Sequence, residues 1–81
     1  MSLFENVRPG DAVWIFTEEG DKKADVVISV DEWMSRIFVK NHNYNFNLQT
    51  GNSSHGDVVE IVESGDMADW NVQMKELNAK D

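Results

Sequence analysis

Five short apolar runs, separated by clusters of Gly, Asp, Asn and Ser, set the pattern of this chain. Ala12–Thr17 is apolar on both sides: Val13 and Ile15 fall on one face, Trp14 and Phe16 on the other. Ala24–Val30 alternates, with Ala24, Val26, Ile28 and Val30 on one face and Asp25, Val27 and Ser29 on the other. A period of two with one apolar face predicts a half-buried strand, here with the Ala24/Val26/Ile28/Val30 set turned inward. Arg36–Lys40 alternates Ile37 and Val39 with Arg36, Phe38 and Lys40. Tyr44–Leu48 sets Tyr44, Phe46 and Leu48 against Asn43, Asn45, Asn47 and Gln49. Asn is a poor strand former, so burial of the three large residues has to hold this strand. Val58–Val62 is the fifth run.

The punctuation supports short strands. Pro9-Gly10-Asp11, Glu18-Glu19-Gly20-Asp21, Thr50–Asp57 and Ser64-Gly65-Asp66 are polar and supply Gly where a turn needs positive φ. After Ser64 the period changes. Met67, Trp70, Met74 and Leu77 recur at helical spacing and form one stripe of an amphipathic α-helix. Ser64 or Asp66 can cap its start, Asp66 and Asp69 suit the positive end of its dipole, and Lys75 and Lys80 suit the other end. One face of the first strand fills the barrel and the other must be covered; the stripe is an obvious cover, although it could pair with a second copy instead.

These elements predict one mainly β domain: a small five-stranded SH3-like barrel over residues 8–63, followed by a C-terminal amphipathic helix over about 66–78. An OB-type barrel is the nearest competitor. It usually carries a helix between strands three and four, and no helical pattern occurs between Lys40 and Tyr44.

Residues that carry a resemblance lie in the same segment. Arg8-Pro9-Gly10-Asp11-Ala12-Val13-Trp14-Ile15-Phe16 resembles the Pro-Gly-Asp-then-strand opening of many SH3-like barrels. Phe46-Asn47-Leu48-Gln49-Thr50-Gly51 resembles a Phe-Asp-Leu-x-Thr-Gly element of small SH3-like barrel proteins encoded by bacteriophages and other mobile elements. Val27–Val30 followed by Arg36–Val39 resembles their central hairpin. Asn47 departs from the usual acidic position, and the Trp70 helix is an addition. The resemblance implies an accessory factor and, for small acidic members, an inhibitor of host defence, including anti-CRISPR and DNA-mimic proteins.

Charge sharpens that expectation. Fifteen Asp and Glu against seven Lys and Arg give a net charge of −8 over 81 residues. Eight carboxylates lie in residues 1–32, seven in residues 57–81 and none between Trp33 and Gly56. An acidic surface repels nucleic acid and anionic membrane and attracts basic proteins; it also keeps small proteins soluble, which is the plainer reading. Glu18, Glu19, Asp21, Asp25, Asp31, Glu32, Glu60, Glu63, Asp66 and Asp69 form the expected surface for a basic partner. Trp14, Trp33 and Trp70 are candidate aromatic anchors, since Trp is enriched in binding hot spots. The rival expectation is a nucleic-acid-binding barrel that uses Arg36, Lys40, Asn43, Asn45, Asn47 and Gln49, flanked by His42: amides read base edges while cations hold phosphate.

Other chemistry finds little footing. The chain has no Cys, which removes disulfides, thiolate zinc sites and cysteine nucleophiles and suggests a reducing compartment. His42, His55 and Asp57 lack ligand spacing. Ser53, Ser54, His55 and Asp57 share one loop, without the buried orienting carboxylate of a triad. The isolated glycines make no phosphate cradle. A cytoplasmic, non-enzymatic protein without cofactor is therefore expected, as a monomer or homodimer. No apolar run approaches the ~18 residues of a membrane span.

Overall fold

The computed structural model describes residues 7–79. The strands are β1 (Ala12–Phe16), β2 (Lys22–Asp31), β3 (Arg36–Val39), β4 (Asn45–Asn47) and β5 (Val58–Ile61). A 3₁₀ turn, Ser64–Asp66, leads directly into the helix α1 (Met67–Ala79). All strand pairs are antiparallel, in the order β4-β3-β2-β1-β5.

The long strand β2 makes the sheet curl into a half-barrel. Its first half, Lys22–Val26, pairs with β1, and its second half, Val27–Asp31, pairs with β3. The ladder is interrupted between Val27 and Ser29, where Ile28 is an extra residue facing no partner on β3. Such a bulge bends and twists its strand. At the far side, the isolated pairs Phe46↔Ser53 and Asn52↔Val58 bring the chain after β4 against β5.

Parity then decides what is inside. Val13 and Ile15 of β1, Val27, Ile37, Val39, Phe46, Leu48 and Val59 form the inner core together with Val7. The expected inward faces of Arg36–Lys40 and of Tyr44–Leu48 are observed, and of the two apolar faces of β1 it is Val13 and Ile15 that fill the barrel. The expectation for β2 is overturned. Its inner face carries Asp25 and Val27, and Ile28 is 54% exposed. Beyond the bulge the parity shifts by one, so that Val30 turns inward and packs on the core.

The opposite face of β1 forms a second cluster. Trp14, Ala24 and Val62 are buried beneath Met67, Trp70 and Met74 of α1. Burying a large apolar side chain contributes roughly 1.5–3 kcal/mol, and this contact docks the helix on its own sheet. Polar groups fix the dock. The Trp70 indole N–H donates to the carbonyls of Val13 and Asp25, at 3.2 and 3.1 Å. Gln73 accepts from the Ala24 N–H at 3.1 Å and donates to the Lys22 carbonyl at 3.4 Å. The helix thus satisfies part of the β2 edge that β3 does not reach, as buried backbone groups require.

The helix is preceded by a 3₁₀ turn formed by Ser64–Asp66. The 3₁₀ turn carries no side-chain cap bond at its N-cap, Glu63. The last turn of α1 holds no basic residue, because Lys75 lies a turn earlier and Lys80 is outside the described residues. Leu77, the last member of the expected stripe, is 37% exposed. No described helix is long and apolar enough to cross a membrane.

Candidate interaction surfaces

The turn that joins β2 to β3 places the most exposed aromatic side chain among the described residues. Asp31 Oδ1 accepts the Met34 N–H at 3.0 Å, and Ser35 adopts φ of 55°. The carboxylate acts as a local turn lock. Between them Trp33 is 96% exposed and Met34 65% exposed. A shallow depression beside Trp33 is walled by Arg8, Pro9, Val30 and Glu32. Of the three expected anchors, Trp33 alone stands free. Trp14 lies 3% exposed under α1, with the Lys22 ammonium 4.3 Å from its ring centroid. Trp70 is half-buried on the sheet.

The acidic residues fall into three neighbourhoods. Glu18, Glu19 and Asp21 occupy the exposed β1–β2 turn, where the Asp21 N–H donates to the Thr17 hydroxyl at 3.1 Å. Gly56, at φ of +88°, lets the Glu18 side chain lie across it, and a Cβ there would strike the carboxylate. Glu60, Glu63, Asp66 and Asp69 follow one another along β5, the 3₁₀ turn and the first turn of α1. Asp31 and Glu32 flank Trp33. Among the described residues, none of these carboxylates lies within ion-pair distance of a Lys or Arg.

Asp25 does not belong to that surface. It is completely buried on the inner face of β2, so it cannot meet a partner. Its Oδ1 accepts the N–H of Val26 at 2.7 Å, the N–H of Asn41 at 3.1 Å and the Asn41 amide at 3.3 Å. Its Oδ2 lies 2.6 Å from Nδ1 of His42. Sequence reasoning missed this buried carboxylate, because its partners lie sixteen and seventeen residues downstream. His42 packs edge-on against Tyr44 and Phe46, with centroids 5.4 and 6.2 Å apart. Tyr44 in turn lies 4.0 Å from the His55 ring. The Tyr44 hydroxyl donates to Asp57 Oδ2. Burial, then the hydrogen bond and charge of Asp57, push the phenol up to about 12.

These contacts redistribute the other expected sites. The ring of Tyr44 stands between His42 and His55, and among the described residues no three His, Asp or Glu come together as metal ligands. The Ser53 hydroxyl accepts the N–H groups of His55 and Asp57 at 3.2 and 3.1 Å, so it works as a turn lock.

The amide-rich segment is a strand over only three residues, Asn45–Asn47. Asn43 and Gln49 therefore lie in the flanking loops and not on a continuous strand face. Asn47 shapes the turn that follows, since its Oδ1 accepts the N–H groups of Gln49 and Thr50, at 2.7 and 3.1 Å. Asn45 stands opposite Phe38, and Asn47 opposite Arg36. Arg36, Asn45, Asn47, Thr50, Asn52 and Ser54 line one open polar depression. His42 is turned away from this face by its bond to Asp25.

Comparison of the chain with protein-family models, with curated proteins and with solved structures gives no match.

Proposed function

We propose that this protein is a non-enzymatic binding module, an SH3-like barrel whose β2–β3 hairpin docks on a basic protein. The observation that carries the reading is Trp33: an indole 96% exposed at the tip of a turn locked by Asp31, with Met34 beside it and Glu32 adjoining. A free indole on a rigid tip loses little entropy on binding and supplies a large apolar contact. Asp31 and Glu32, with the unpaired carboxylates of the β1–β2 turn and of the β5–α1 segment, select a partner with cations around an apolar slot. The strand order, a meander from β1 to β4 with β5 returning beside β1, supports the SH3-like assignment. The resemblance of residues 8–63 to phage and mobile-element barrels supports a partner among host proteins of nucleic-acid metabolism or defence, engaged as an inhibitor or DNA mimic would engage it.

Capture from a bacterial lysate tests this with two controls. The expected result is a basic protein retained at low salt, released at high salt, and lost from a Trp33→Ala bait that unfolds at the same denaturant concentration as the parent. Trp hot spots cost about 2 kcal/mol or more, about 30-fold in affinity. Capture that ignores both salt and Trp33 would overturn the reading.

A further inference from the structure

Beyond the hairpin tip, the rest of the acid-free segment forms a second surface. On the outer side of β3, Arg36 and Phe38 alternate with the buried Ile37 and Val39, and the exposed Lys40 follows. Phe38 is 37% exposed. Asn45 faces Phe38 across the ladder, and Asn52, Thr50 and Ser54 complete the rim of the depression that contains Arg36. The side-chain amides of Asn45 and Asn52 have no hydrogen-bond partner among the described residues. Among the described residues, the Arg36 guanidinium makes only a 3.4 Å bond to the Ser35 carbonyl. The nearest carboxylate along the ladder, Asp31, is opposite Arg36, but its Oδ1 is committed to the Met34 N–H and it makes no ion pair among the described residues.

An accessible aromatic ring, free amides and two cations, with no acidic residue from Trp33 to Gly56, match one ligand chemistry. We propose that the outer face of β3–β4 binds a short single-stranded nucleic acid segment. Phe38 stacks on a base, Asn45 and Asn52 meet base edges, and Arg36 and Lys40 hold phosphates. The magnitudes favour a single strand over a duplex. Two cations cannot hold a duplex by phosphate neutralisation against a net charge of −8. Stacking on an aromatic ring needs an unpaired base and works for any sequence.

Fluorescence anisotropy with a labelled oligothymidylate and the matching duplex, at low salt, tests the proposal. Binding of the single strand is expected, with a shallow salt slope of about −1.4 for two phosphate contacts. Phe38→Ala is expected to weaken it about fivefold or more, the effect of losing one stacked base. Lys40→Glu should weaken it too. Lys75→Glu, the same charge change on exposed α1, should leave it within about twofold once corrected for the general field. Trp33→Ala should leave it unchanged, which separates this site from the hairpin tip. No binding of the single strand, equal binding of the duplex, or equal losses for Lys75→Glu and Lys40→Glu would each overturn it.

Discussion

The carboxylate of Asp25, buried on the inner face of β2, lies 2.6 Å from Nδ1 of His42, seventeen residues further on. Together with its bonds to the Asn41 backbone and side chain, this contact ties the loop after β3 to the half of β2 that β3 does not reach. Asp25 is therefore a structural lock, and its three N–H donors with the His42 contact account for its burial.

Asp25→Ala should be among the most damaging single changes. It leaves the Val26 and Asn41 N–H groups and the His42 ring without their acceptor, and each donor left unpaired away from water costs about 1–3 kcal/mol. Asp25→Asn should cost less: the amide oxygen can still serve Val26 and Asn41. Urea unfolding measures both. A loss below about 1 kcal/mol for Asp25→Ala would show that the lock is dispensable.

Tyr44 is the only tyrosine in the chain, so its ionisation can be read directly from near-ultraviolet absorbance. Burial first, and then Asp57, push the phenol up to about 12 from the ordinary 10.0. The folded protein thus holds this proton where the unfolded chain has begun to release it. The contribution to stability is complete below pH 10 and is lost as pH rises from about 10 toward 12. Asp57→Asn should lower the titration midpoint toward the ordinary value while burial keeps it somewhat raised. An unchanged midpoint in that variant would remove Asp57 from the explanation.

The helix dock separates into apolar and polar parts at Trp70. Trp70→Phe keeps a ring over Trp14 but removes the N–H that serves the Val13 and Asp25 carbonyls. Leaving buried acceptors unpaired costs about 1–3 kcal/mol. Trp70→Ala also uncovers Trp14 and should cost about 3–5 kcal/mol. Near-ultraviolet circular dichroism with urea unfolding would check the order. Equal losses for the two variants would mean that packing contributes little beyond the hydrogen bonds.

Much of this arrangement is legible in the sequence, and the rest fails for identifiable reasons. The two-sided alternation of Val13, Trp14, Ile15 and Phe16 forecasts a strand between two clusters, and the spacing of Met67, Trp70 and Met74 forecasts its cover. Both are local patterns that no bulge interrupts. The inner face of β2 is not legible. Its apolar period of two, Ala24 to Val30, reads as one continuous face, but the extra residue at Ile28 changes parity in mid-strand. A bulge is defined by the partner strand, so no window on β2 alone contains it. The same holds for Asp25: among fifteen carboxylates nothing local marks the one that will be enclosed by Asn41 and His42. For the candidate surfaces, the burial of Trp14 and Trp70 depends on the docking of α1 on the sheet, while the freedom of Trp33 comes from the β2–β3 turn; none of the three indoles is marked by its own neighbours in the sequence.

The amide-rich segment shows how a compositional oddity divides into a structural and a free part. Asn47 and Asn45 are two residues apart and both half-buried, yet they differ in what they hold. Asn47 Oδ1 accepts two backbone N–H groups and shapes the turn that carries Gly51 back toward β5. Asn45 makes no hydrogen bond through its amide among the described residues. Asn47→Ala should therefore destabilise the protein by about 1–2 kcal/mol, while Asn45→Ala stays within about 0.5 kcal/mol. Asn47→Asp, which keeps the acceptor, should recover most of the loss, because a short acidic side chain makes the same turn bond. Thermal unfolding of the three variants is the measurement. If Asn45→Ala proved the more costly, the amides would be serving the strand and not the turn, and the free face on which a single strand could lie would have to be redrawn.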